Sequence, residues 1–182
     1  ISRAAGSFTF PARFMLIAAM NPCKCGYHGD PKRDCRCSPR EVENYRNRIS
    51  GPLLDRIDIH VEVPAVTFQE LQGRGDGGES SAIIRARVEA ARDIQGQRFG
   101  AATTTTNASM SSRQLKACCQ LDETSRGYLE QAMNELHLSA RAHDRILKVA
   151  RTLADLAASE HIRADDILEA VQFRSLDRKL FS

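Results

Sequence analysis

Residues 72–81, Gln-Gly-Arg-Gly-Asp-Gly-Gly-Glu-Ser-Ser, contain four glycines and no large apolar side chain. Such a segment buries nothing and gains little from being ordered, so it reads as a linker. It separates two stretches of different periodicity. Before it, apolar residues fall in short runs and alternations; beyond it, they recur at helical spacing. A chain of 182 residues holds one large domain or two small ones, and this change of pattern predicts two, over 1–71 and 82–182.

The first stretch predicts sheet. Ile1 to Arg3 and Phe8 to Phe10 flank Ala4-Ala5-Gly6-Ser7, a hairpin with Gly at its turn. Phe14 to Met20 is an apolar run without alternation, the pattern of a central strand buried on both faces, and Asn21-Pro22 ends it. Ser38 as cap, Pro39 at the first helical position and Glu41 reaching back predict a helix to about Arg48. Ser50-Gly51-Pro52 is a break. Ile57, Ile59, Val61 and Val63 then alternate with Asp58, His60 and Glu62, as in a half-buried strand.

The second stretch predicts helices over Ala82–Gln97, 112–119, 123–136, 140–158 and 165–172, with a Thr-rich loop over Ala101–Ser109. Asp122 and Ser139 stand at N-cap positions. Ile146, Leu147, Val149, Ala150, Leu153 and Leu156 form a wide apolar stripe on the 140–158 helix. With no Trp and few aromatics, the core must rest on aliphatic side chains.

No apolar run approaches the ~18 residues that span a bilayer, and the N-terminus lacks the pattern of a signal peptide. The chain therefore reads as cytoplasmic, without membrane contact. Its start at Ile1 rather than Met reads as a piece of something longer. The net charge of +3 permits nucleic acid as a partner without arguing for it.

Cys23, Cys25, Cys35 and Cys37 form two Cys-x-Cys pairs nine residues apart, in a stretch broken by Gly26, Gly29 and Pro31. Four thiolates suit a structural Zn²⁺, with His28 as a substitute ligand. Reduced thiols without metal and disulfide or redox use are the other readings. Lys24, Lys32, Arg33 and Arg36 surround the cluster and would offset the charge of four thiolates. Cys118 and Cys119 read as packing residues. His60, His137, His143 and His161 show no ligand spacing.

Arg141 lies in the first turn of the helix capped by Ser139. A cation there opposes the helix dipole, a mild cost that points to an external reason for its position. Arg145, four residues on, shares its face; Arg151 reads as a solvated or structural cation.

Three segments together, covering nearly the whole chain, resemble the magnesium-chelatase-like, ComM/YifB-type branch of the AAA+ ATPases. ISRAAGSFTFPARFMLIAAMNP is similar to the branch's hairpin, sensor-1 strand and terminal Asn. ISGPLLDRIDIHVEV is similar to the segment carrying the arginine finger, and LSARAHDRILKVARTLADL resembles the sensor-2 helix of the lid. A cysteine-rich insertion at 22–38 fits the resemblance, although Lys24 stands where proline is expected.

The resemblance implies an α/β partial AAA+ core with its hairpin, sensor-1 strand and arginine-finger segment, then a linker at 72–81 and an all-α lid over 82–182. It makes Asn21, Arg56 and Arg141 catalytic, and Arg141 with Arg145 in reserve the nucleotide-binding cations. The plainer alternatives are that Asn21 only ends a strand and that Arg56 pairs with Asp55 or Asp58. ATP and Mg²⁺ are the implied cofactors of the full-length protein. The chain holds no G-x-x-x-x-G-K-[ST] loop and no apolar run ending in Asp-Glu, so these motifs are expected upstream and the chain alone is expected to be inactive.

The resemblance implies an oligomeric, hexameric, DNA-remodelling branch-migration helicase. Arg3, Arg13, Lys24, Lys32, Arg33 and Arg36 are then candidates for phosphate contacts, against the plainer reading of a solvated surface. The alternatives are an ATPase subunit of a magnesium-chelatase-type metal-insertion complex, or a zinc-stapled nucleic-acid-binding module.

Overall fold

The computed structural model describes residues 2–10, 14–64, 66, 68, 72, 78–100 and 105–174. The chain divides into two compact units, Ile1–Tyr45 and Arg46–Ser182. The segment 46–63, expected with the sheet-forming half, therefore groups with the helices. Among the described residues there are seven α-helices and one two-stranded ribbon, and no helix is long and apolar enough to cross a membrane.

In the first unit, β1 (Ser2–Arg3) and β2 (Gly6–Ser7) pair antiparallel, with Ser2 opposite Ser7 and Arg3 opposite Gly6. The ribbon turns at Ala4-Ala5, so Gly6 stands in the second strand and not at the turn. Phe8 and Phe10, expected as that strand, lie beyond the pairing and are exposed. Ile1 lies outside the described residues.

The buried strand expected over Phe14–Met20 is not formed. These residues have no regular structure, and Ile17 is 87% exposed. A strand buried on both faces needs a hydrogen-bonded neighbour on each side. Among the described residues the ribbon is the sole sheet, and none of them offers this apolar run a paired strand.

The helix after the cysteines forms as its end signals dictate. α1 (Pro39–Arg46) opens with Pro39 at its first position. Glu41 accepts from the Ser38 amide and hydroxyl, both at 3.0 Å. These bonds, the amide's first, hold the Glu41 carboxyl below its usual range.

In the second unit, α2 (Gly51–Leu54) follows the expected break at Ser50. The alternating strand expected over Ile57–Val63 is a second correction. The segment is irregular and its burial does not alternate: His60 is buried, while Asp58, Ile59, Val61, Glu62 and Val63 are exposed. Without a partner strand, single attachments decide which side chain faces inward. Here the His60 amide donates to the Phe173 carbonyl at 2.8 Å.

The remaining helices are α3 (Ser81–Phe99), α4 (Ser112–Cys118), α5 (Glu123–Glu135), α6 (Ala140–Leu156) and α7 (Ala164–Gln172). Caps fix their starts. Asp122 accepts from the Ser125 amide at 2.7 Å, and Ser139 from the Ala142 amide at 3.1 Å. Helix α6 is the centre of the bundle, packed by α3, α4 and α7, with α5 against α7. Its Ile146, Leu147, Ala150 and Ala154 meet Leu115, Leu129, Ile167 and Ala170, with Val149 and Leu153 at the margin. This is the predicted stripe, and each such Leu or Ile contributes roughly 1.5–3 kcal/mol. The Thr-rich loop, described from Thr105 onward, is not structureless. It closes in a 3₁₀ turn, Asn107–Ser109, with Asn107 buried. Most of the expected linker lies outside the described residues.

Candidate functional site

The segment Leu53-Leu54-Asp55-Arg56-Ile57-Asp58 follows α2 in a series of tight turns. The Asp55 amide bonds the Gly51 carbonyl at 2.9 Å, and the Ile57 amide bonds that of Leu54 at 2.9 Å. Leu54 is buried, which leaves the polar residues of the turn outermost.

Those polar residues bind the start of α6. The Ser139 hydroxyl donates to Asp55 at 2.8 Å. The Arg141 guanidinium lies 3.9 Å from the other Asp55 oxygen, and Arg145 pairs closely with Asp58. Arg174, just past α7, is buried; it approaches Asp55 at 3.6 Å and donates to the Ile57 carbonyl. Residues 55–60 are thus clasped between the first turns of α6 and the end of α7. A carboxylate at that helix start also suits the dipole of α6.

The clasp sorts the arginines. Arg56 donates to the Pro52 carbonyl of its own turn at 2.8 Å and is exposed. Neither flanking carboxylate holds it, since Asp55 and Asp58 are taken up by α6 and Arg174. Arg141 keeps 67% of its side chain exposed, whereas Arg145 keeps 26%. Arg141 is therefore the more exposed of the two cations, and Arg145 is committed to Asp58. Asn21 belongs to the first unit, exposed at the end of the irregular segment 14–21.

The four cysteines converge. Their sulfurs all lie within 4.8 Å of one another. Cys23 stands 3.3 Å from Cys25 and 3.7 Å from Cys35, with Cys25 and Cys35 at 3.6 Å. All four are unbridged, so the disulfide reading does not describe this structure. Backbone amides of Tyr27 and Arg36 donate to the Cys25 sulfur and bring its thiol down to about 6. Burial opposes ionisation of Cys23, yet amide bonds from His28 and Cys25 help lower it. Cys35 accepts from the Cys37 amide, but desolvation and the adjacent Cys25 and Cys23 push it up to about 12. Cys37 is likewise raised against the Cys25 amide bond, first through the Cys25 side chain. Crowded thiols ionise in sequence, because each negative charge opposes the next.

Lys24, Lys32, Arg33 and Arg36 are exposed about this cluster, and Arg3 is exposed on β1. Asp30 accepts from the Lys32 and Arg33 amides at 2.7 and 3.2 Å. The Arg33 guanidinium bonds the Tyr27 hydroxyl at 3.0 Å and lies 5.2 Å from its ring centre. Arg13 lies outside the described residues. Cys119 is buried, and desolvation pushes its thiol up to about 11, as befits a packing residue.

One buried polar network was not foreseen from sequence. Asp155 accepts from Arg98 at 2.5 and 2.9 Å, from Asn107 at 2.7 Å and from Arg151 at 3.1 Å. Arg151 is 3% exposed and structural. Its i, i+4 spacing to Asp155 was the available signal; Arg98 and Asn107 gave none.

Residues 78–174 match the family model described as magnesium chelatase, subunit ChlI C-terminal, and residues 1–71 match magnesium chelatase, subunit ChlI. The competence protein ComM of Haemophilus influenzae is 43% identical over 180 residues, 99% of this chain and 34% of that protein. The uncharacterized protein YifB of Escherichia coli is 41% identical over 181 residues, with the same coverages of 99% and 34%. An uncharacterized protein of Mycobacterium tuberculosis is 35% identical over 174 residues, 96% of this chain and 34% of its own. The chain spans about a third of the length of the curated relatives it matches.

Proposed function

The chain belongs to the magnesium chelatase ChlI family, and on that premise we propose that it is part of an oligomeric AAA+ ATPase, hexameric and acting on DNA. The observation that carries the reading is the clasp. It joins the turn bearing Arg56 to the helix start bearing Arg141, leaving both guanidiniums exposed.

ATP hydrolysis needs a positioned water and compensation of charge building on the γ-phosphate, part of which Mg²⁺ would supply. In this reading Arg141 closes onto the terminal phosphate of its own subunit. Arg56 reaches the phosphate of the adjoining subunit, where its planar fork suits paired oxygens. Asn21 orients the water through its amide. The phosphate-binding loop is supplied by the rest of the protein, because these 182 residues contain none. Such arginine fingers are worth about 10³–10⁵ in rate in other phosphoryl-transfer systems. Arg3, Arg13 and the cations about the cysteines supply sequence-independent contacts to DNA phosphates. A ChlI-type role in metal insertion is the second reading, favoured by the description of the matching family.

The test uses the intact protein. Arg56→Ala subunits mixed with unaltered ones are expected to depress hydrolysis more steeply than their fraction, because each silences a neighbour's site. Activity falling in proportion to the mutant fraction overturns the finger assignment. Nucleotide-dependent binding of branched DNA supports the DNA-remodelling role, whereas stimulation by a porphyrin-binding partner without DNA binding supports metal insertion.

A further inference from the structure

We propose that Cys23, Cys25, Cys35 and Cys37 form a closed four-thiolate Zn²⁺ site that pins the two ends of the segment between Asn21 and α1. Zinc bound to four sulfurs at ~2.3 Å in a tetrahedron sets those sulfurs about 3.8 Å apart. The three separations among Cys23, Cys25 and Cys35 are 3.3, 3.6 and 3.7 Å, and Cys37 lies within 4.8 Å of each. Bonded sulfurs would stand at about 2.05 Å, so the spacing is that of ligands around one ion and not of a bridge.

The surroundings point the same way. Cys23 is fully buried, yet the one other buried apolar side chain among the described residues of this unit is Val42. The extended apolar cluster lies wholly in the second unit. Residues 22–38 therefore have almost no core to hold them, and a metal ion is the physical means by which such a loop keeps a fixed shape. Backbone amides of Tyr27 and Arg36 are directed at Cys25 and that of Cys37 at Cys35, as suits thiolates in a metal site. Four exposed cations, Lys24, Lys32, Arg33 and Arg36, offset the two negative charges left when four thiolates bind a divalent ion.

The four sulfurs converge without His28, which lies outside the set, and four ligands are enough for a tetrahedral zinc. Thiolates select zinc over the hard cations magnesium and calcium. With every position filled the ion is structural and holds no water to activate. Cys23 lies two residues past Asn21, and Cys37 directly precedes Ser38, the cap of α1. One ion thus fixes both the exit from the apolar segment and the entry to the helix.

The purified 182-residue chain, prepared with reductant and without chelator, is the test material. Elemental analysis is expected to find one zinc per chain, released on titrating four thiols. Replacement by Co²⁺ is expected to give sulfur-to-cobalt charge-transfer absorption, lost in Cys35→Ser and kept in Cys118→Ser. Removing zinc from the unaltered chain should expose those four thiols to alkylation, and restoring zinc should protect them again. This last measurement needs no variant to fold. Absence of bound metal, iron in place of zinc, or equal loss in Cys118→Ser overturns the proposal. None of these outcomes depends on ATP hydrolysis.

Discussion

The Asp55 carboxylate accepts the Ser139 hydroxyl at 2.8 Å while that hydroxyl accepts the Ala142 amide at 3.1 Å. One serine thereby caps α6 and ties it to a turn 84 residues earlier. The other Asp55 contacts are to exposed Arg141 and buried Arg174. Asp55→Ala strips a charged partner from Arg174, so a loss of about 2–3 kcal/mol is expected. Asp58→Ala breaks a pair whose carboxylate is 51% exposed, and should cost less than about 1 kcal/mol. Urea unfolding of the two variants checks the ranking; equal losses would mean that Asp55 does not anchor the clasp.

Acid should loosen the helical unit through Asp155. Burial pushes this carboxyl upward, but hydrogen bonds from Arg98 and Asn107 and the charge of Arg151 win, leaving it below its ordinary value of 3.8. A depressed folded value means that the unfolded chain binds the proton more readily. The stabilisation is therefore complete above the unfolded value and is lost as pH falls through the lower folded one. Urea midpoints between about pH 2 and pH 6 should decline at the acid end, with a weaker decline in Asp155→Asn. Asp155→Ala should cost about 3–5 kcal/mol at neutral pH, because Arg98 and Arg151 lose their shared anion.

The sequence made α5 and α6 legible because each carries its own start signal, and α6 also an apolar period. Ser139 and Asp122 cap where expected, and Ile146, Leu147 and Ala150 face the core. Strands are different, since a strand is defined by its neighbour. Phe14–Met20 and Ile57–Val63 have strand composition, yet among the described residues no strand pairs with them. Sequence identified Arg56 and Arg141 separately. Their linkage through Asp55 and Ser139 was invisible, as a contact across 84 residues leaves no periodic trace. The cysteine cluster was legible because four soft ligands in a short, coreless loop have little else to do. The Arg98–Asp155 pair, 57 residues apart, was not.

Two helices end on left-handed residues that are not glycine: His137, φ 49°, after α5, and Ala158, φ 51°, after α6. At Ala158 the motif is complete, with the Ser159 amide bonding the Ala154 carbonyl at 2.8 Å. A Cβ in this region costs roughly 1–2 kcal/mol, partly offset by the greater freedom glycine gives the unfolded chain. Ala158→Gly should therefore stabilise the protein by about 0.5–1 kcal/mol. Thermal unfolding checks this, and a lowered midpoint would mean that the methyl group's packing outweighs the backbone strain.

Arg151 is held as a planar fork. Its Nε donates to Asp155 at 3.1 Å, Nη1 to the Glu160 carbonyl at 2.8 Å and Nη2 to the Ser159 carbonyl at 2.7 Å. The three acceptors lie in different directions, and two are carbonyls of the chain leaving α6. A lysine keeps the charge but presents one compact ammonium, which cannot reach all three. Arg151→Lys should thus leave part-buried acceptors unmet and cost about 1–3 kcal/mol. Arg145 meets a single half-exposed carboxylate, so Arg145→Lys should cost less than about 1 kcal/mol. Both substitutions preserve net charge, which removes long-range electrostatics as an explanation for any difference. Matched urea unfolding curves for the pair are the measurement. Similar losses would show that charge, and not the shape of the guanidinium, secures the end of α6.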